Sequence, residues 1–129
     1  ILDYAVVSDA GPLINPLIVD GQIVGGVAQG IGGALWEELA YDALGNFLSG
    51  SLLDYCMPTA RQIPAVKIAH LYTKSPLNPL GVKGCGEVGA IGSPPAVINA
   101  IIDALKQYNV RHINMPATPE KLWSIMAAK

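Results

Sequence analysis

Cysteine, phenylalanine and charge are all scarce in this chain. Only two of its 129 residues are cysteine, Cys56 and Cys85, and they show neither CxxC spacing nor a repeated pattern. A disulfide scaffold and a structural zinc site are therefore not expected, and a reducing compartment, the cytoplasm, is the expected location. Charged residues make up 14% of the chain, the net charge is −2, and the few Lys and Arg are scattered. That leaves no basic patch for nucleic acid and no polybasic anchor for an anionic membrane. A long apolar run is missing too. The most hydrophobic window, Leu17 to Trp36, is broken by Asp20, Gln22, Gln29 and six glycines, which makes a poor membrane span.

Two nucleotide-binding signatures are also wanting. No GxxxxGK[ST] occurs. Gly84-Cys-Gly86-Glu-Val-Gly89 matches GxGxxG in form, but Pro76 and Pro79 separate it from any strand, and the nearest downstream acid, Asp103, follows Gly89 by only 14 residues. A dinucleotide fingerprint needs a strand directly before it and an acid about 20 residues on.

What the chain has in abundance is apolar surface: 51% of residues are hydrophobic and the mean hydropathy is +0.39. The length suits a single domain over residues 1–129, with more apolar material than a small free-standing protein can cover. Another domain or subunit is expected to cover the excess, and Ile1 at the start fits excision from a longer chain.

Local signals give a coarse layout. Tyr4 to Ser8 reads as a strand. Asn15-Pro16 then opens a long glycine-rich helix to about Tyr41, with Val27, Ile31, Leu35 and Leu39 as its core stripe. Gly21, Gly25, Gly26, Gly30, Gly32 and Gly33 each weaken that helix by about 1 kcal/mol relative to alanine, so they need a reason, either close helix packing or a cofactor lying on the helix. Asp42 to Asn46 is a turn, Phe47 to Asp54 a strand, and Cys56 to Pro64 a loop. Val66 to Thr73 is a second strand whose alternation makes His70 a core or interface residue. Ser93 caps a helix beginning at Pro94, and Thr118-Pro119-Glu120 opens a short last helix. Strands and helices without strict alternation favour an α+β fold.

The segment Gly81 to Gly92 stands apart, with five glycines in twelve residues around one acid, Glu87. Such a loop lets backbone N–H groups face a ligand. Glu87 reads either as a cap on nearby N–H groups or as a partly desolvated general base. Cys85 with His70 or His112 as base is a hydrolase alternative that lacks a local signature.

Lys83-Gly-Cys-Gly-Glu87 resembles the catalytic-glutamate loop of the molybdenum hydroxylases, the family of xanthine dehydrogenase, aldehyde oxidase and aerobic carbon monoxide dehydrogenase. Further blocks resemble that family in order: Asp9 to Pro16, Asp20-Gly-Gln22, Gln29-Gly30, Leu53-Asp54-Tyr55, Pro58-Thr59-Ala60 and Pro116 to Glu120. The likeness is to the C-terminal part of the large, molybdenum-binding subunit. It implies hydroxylation of an aldehyde, heteroaromatic or similar small substrate with oxygen from water, at a molybdenum ion held by molybdopterin. Glu87 matches the family's general base; Gln29, Gly30, Lys83, Gly84, Cys85 and Gly86 match its cofactor contacts, and no side chain here matches a metal ligand. Val88 to Pro94 resembles the pterin-dinucleotide type. The implied partners are the rest of the large subunit and separate iron–sulfur and FAD subunits, in an oligomer. The competing reading is a truncated, non-catalytic structural or assembly module of the same fold.

Overall fold

The computed structural model describes residues 1–128. It is a mixed α/β arrangement of a two-stranded sheet and three helices. Strand β1 (Tyr4–Ser8) pairs in parallel with β2 (Val66–His70), in a register running from Tyr4 opposite Val66 to Ser8 opposite His70. Both strands alternate in burial, turning Tyr4, Val6 and Ser8, with Val66, Ile68 and His70, toward the core. Helix α1 (Pro16–Leu35) lies in the crossover between the strands, as a parallel pairing requires. Its start is set locally: the Asn15 side chain accepts from the Ile18 N–H, and Pro16 occupies the first turn. Ile23, Val27, Ile31 and Ala34 are buried almost completely along one face, forming the centre of the main core.

Helix α2 (Val88–Ala104) crosses α1, and small residues let the two backbones touch. A Cβ on Gly26 would stand 2.8 Å from the Ala90 nitrogen, and one on Gly89 would stand 2.5 Å from the Ile23 carbonyl oxygen. One turn further along, a Cβ on Gly30 would strike the Ser93 hydroxyl and come within 2.8 Å of Pro94 Cδ. Ser93, 1% exposed, donates its hydroxyl to the Val27 carbonyl at 3.1 Å. Helix α3 (Pro119–Ala127), capped by Thr118, brings Leu122 and Ile125 onto a second core of Leu105, Ile113 and Ala117. The Ala117 N–H donates to the Ala34 carbonyl at 2.7 Å, joining this part to the end of α1.

Four expectations are corrected. Helix α1 stops at Leu35 rather than Tyr41, because Trp36 and Glu37 both donate to the Gly32 carbonyl, while the Glu37 side chain and Pro58 fold over Gly32 where a Cβ would sit. Leu39 thus lies outside the helix and exposed. The strand expected from Phe47 to Asp54 is replaced by a single bridge from Tyr41 to Phe47 and a turn in which the Ser51 hydroxyl donates to Asp54; local side-chain bonds win where no neighbouring strand offers a ladder. Strand β2 ends at His70 because Thr73 turns to bond Asp9 instead. Helix α2 begins at Val88, before the expected Ser93-Pro94 start. Ser93 faces α1 rather than capping, and Pro94 and Pro95 sit inside the helix, leaving the Ala90 and Ile91 carbonyls without i+4 donors.

The α1 glycines therefore fall into two groups. Gly26, Gly30 and Gly32 are packed against protein, whereas a Cβ on Gly21, Gly25 or Gly33 would meet nothing within 4 Å. Gly26→Ala should then destabilise the fold by about 1–3 kcal/mol through overpacking against the α2 backbone, while Gly25→Ala should stabilise it by up to about 1 kcal/mol. Urea unfolding of both variants checks this, and equal effects would refute the division.

Candidate functional site

The glycine loop is held at its two ends and open between them. At its start the Lys83 N–H donates to the Ala10 carbonyl at 2.9 Å, and the Lys83 ammonium reaches Asp9 Oδ2 at 2.8 Å. The Thr73 hydroxyl lies between them, accepting from Lys83 and donating to Asp9. Asp9 also accepts from the Gly11 N–H at 2.9 Å. Gly11 and Gly81 both take positive φ, and a Cβ on Gly11 would strike the Gly81 carbonyl oxygen, so only glycine lets these turns meet. The other loop glycines do not need that conformation; what they supply is the missing side chain. The ammonium beside Asp9, then the Thr73 hydroxyl and the Gly11 N–H, hold its carboxyl well below the usual carboxylate range.

At the far end the Gln22 side chain, from the first half of α1, donates Nε2–H to the Gly86 carbonyl at 2.8 Å. Between these anchors the N–H groups of Gly84, Cys85, Gly86 and Glu87 donate to no acceptor among the described residues. A Cβ on Gly84 or Gly86 would meet nothing within 4 Å. Glu87 occupies the cap position of α2 without any side-chain capping bond, so the capping alternative does not hold. It is exposed in this chain, not partly desolvated as expected.

The remaining sequence-named residues separate. Gln29 is exposed on α1, seven residues and two turns beyond Gln22, with Gly25 between them, so the three share one open stripe leading to the loop. Gly30 faces α2 and packs there. Cys85 turns its side chain toward the core and lines a cavity of about 300 Å³ with Ala10, Leu13 and Val19, leaving only its backbone toward the open side. Neither histidine serves it as a base: His70 Nε2 pairs with Asp20 at 2.8 Å and His112 Nε2 with Asn114 at 2.7 Å. Among the described residues no group of three or more His, Cys, Asp and Glu could hold a metal ion, so a metal at this loop would have to come with ligands of its own. Sequence reasoning missed Asp9, which is 64 residues from Thr73 and 74 from Lys83, and with it Thr73, and it missed Gln22 as a loop anchor, although the two-turn spacing to Gln29 was readable.

Comparison with known proteins gives this geometry a context. Residues 1–64 match the model of a molybdopterin cofactor-binding domain. The chain is 51% identical over 116 residues to the nicotine 6-hydroxylase large subunit of Paenarthrobacter nicotinovorans, covering 90% of this chain and 14% of that protein. It is 38% identical over 120 residues to the carbon monoxide dehydrogenase large chain of Hydrogenophaga pseudoflava, covering 93% of this chain and 15% of that one. The crystal structure of quinoline 2-oxidoreductase from Pseudomonas putida 86 superposes with a TM-score of 0.95 at 44% identity, covering 99% of this chain and 16% of that one. The chain belongs to the molybdenum hydroxylase family. The structural likeness reaches well past residue 64, where the domain model stops. The chain spans only a small part, 14% to 16%, of these hydroxylase relatives.

The Asp9 anchor makes a pH prediction for this loop. Its carboxyl is depressed in the folded state, so the stability it adds is complete above the unfolded pKa of about 4 and is lost as pH falls from there toward the folded value. Asp9→Asn should lower the urea midpoint at pH 6 and shrink the further drop between pH 6 and pH 2.5. An undiminished drop in the variant would show that the Lys83 pairing adds nothing.

Proposed function

We propose that this chain forms one wall of the active site of a molybdopterin-dependent hydroxylase, with Glu87 as the general base. The observation that carries the proposal is the open loop itself: four backbone donors from Gly84 to Glu87, unpaired among the described residues, beside one exposed carboxylate, on a chain of this family. The fit to a molybdopterin rests on the donor set. The loop N–H groups and the Gln29 amide can hold polar and anionic edges of a ligand, and Gly25 leaves the helix flat enough for it to lie close. No protein side chain is needed as a metal ligand. Gly30 and Lys83 then serve by position, Gly30 seating α1 on α2 and Lys83 fixing the start of the loop.

The chemistry a bound molybdopterin supplies is Lewis-acid activation of a water oxygen and uptake of the substrate's electrons. The Glu87 carboxylate accepts the proton of the water whose oxygen enters the substrate. Once the rest of the subunit covers the loop, bulk water no longer competes with Glu87 for that proton. The relatives at 51% and 44% identity are named for nicotine and quinoline, so an N-heteroaromatic ring is the substrate class within this proposal. The dinucleotide form of the pterin, and iron–sulfur and FAD subunits as the electron route, complete it on family likeness alone.

The exposed apolar surface supports a missing cover. Leu2 is fully exposed, Leu53 and Leu77 are both 92% exposed, and Leu17 and Leu44 are nearly as bare, far more than an isolated chain keeps in water. The 129-residue chain on its own should self-associate and retain no molybdenum. Light scattering and metal analysis check this; a monomer with bound metal would overturn the one-wall reading.

In the assembled enzyme Glu87→Gln should cut turnover by roughly 10²–10⁴-fold with molybdenum content unchanged. Near wild-type turnover at full occupancy would withdraw Glu87 as the base.

A further inference from the structure

We infer that Gln22 is a positioning residue for Glu87, acting through the peptide plane between Gly86 and Glu87. This inference rests on the reading of Glu87 as the base. The amide of Gln22 donates to the Gly86 carbonyl at 2.8 Å, across 64 residues of sequence. Because the peptide unit is planar and trans, the carbonyl oxygen of Gly86 and the N–H of Glu87 point in opposite directions. A carbonyl held toward α1 therefore sends the Glu87 N–H away from α1, to the side where it has no acceptor among the described residues. The same plane fixes the start of the Glu87 backbone and hence the direction in which its side chain leaves the loop.

Little else would hold that plane. Gly84 and Gly86 have no side chains, and an added Cβ at either would meet only open space, so no packing opposes rotation there. The anchor at Lys83 lies on the other side of Gly84 and Gly86 and cannot stop the peptide after Gly86 from turning over. On the C-terminal side, Gly89 is wedged against Ile23 and Val27 and the Glu87 carbonyl accepts from the Ile91 N–H at 2.9 Å, which fixes the helix and the peptide after Glu87 but puts no bond on the peptide before it. Gln22 sits one residue before Ile23 on that same turn of α1, so the crossing that seats α2 also brings the amide to the carbonyl. The Gln22 side chain is the only hydrogen-bond partner of the Gly86 carbonyl among the described residues.

Gln22→Met keeps the length of the side chain and removes its donor. In the assembled holoenzyme, with one hydrogen bond lost, it should lower kcat by about 3- to 10-fold, with KM and molybdenum content unchanged. Introduced into Glu87→Gln, it should have no further effect on the single-turnover rate, since a plane that aims the base is idle once the base is gone. Wild-type kcat in Gln22→Met, loss of molybdenum, or a full additional loss in the Glu87→Gln background would each overturn the inference. If instead Glu87→Gln alone keeps normal turnover, the base assignment fails first, and the result is distinguishable from failure of Gln22.

Discussion

The close crossing of α1 and α2 is the constraint on which the rest depends. Gly26 against Gly89 and Gly30 against Ser93 and Pro94 bring two backbones to distances that no side chain would allow. Helix α2 starts immediately after Glu87, so where α2 sits on α1 decides where the loop sits on the open stripe of Gln22, Gly25 and Gln29. The Ser93 hydroxyl adds direction to this contact by occupying the Val27 carbonyl. A buried polar group so paired adds little net stability but penalises any other placement of the helices.

The glycine content of α1 follows from two demands on one helix. On the buried side glycine lets α2 approach; on the open side Gly21, Gly25 and Gly33 touch nothing in this chain. Such residues weaken the helix without easing any contact within the described residues. Of the two reasons the sequence offered, packing accounts for Gly26, Gly30 and Gly32, and a ligand against the open face belongs to the proposed function.

Local chemistry made much of the fold readable. Asn15-Pro16 and Thr118-Pro119 are caps in the structure as in the sequence, β1 has the bounds read from the sequence, and the Asp42 turn forms around its own side chain. Misreadings arose where a distant partner redirected a local signal. Ser93-Pro94 imitates a helix start, but its hydroxyl belongs to a carbonyl 66 residues away; Thr73 continues a strand pattern until Asp9 draws it aside. The loop from Gly84 to Glu87 was legible by composition alone. Its anchors were not, since nothing near Lys83 or Gly86 in sequence names Asp9, Thr73 or Gln22.

The separations of those anchors also set an order of events in folding. Asp9 to Lys83 spans 74 residues, Gln22 to Gly86 spans 64, and the parallel strands must find each other across the whole of α1 and the loop after it. Contacts so far apart form late, after helices and turns have closed their short loops. Until then the segment that carries Glu87 hangs between two unfastened ends. The loop therefore takes its place only once three stretches of chain far apart in sequence have come together, and its position reports that the whole fold has closed.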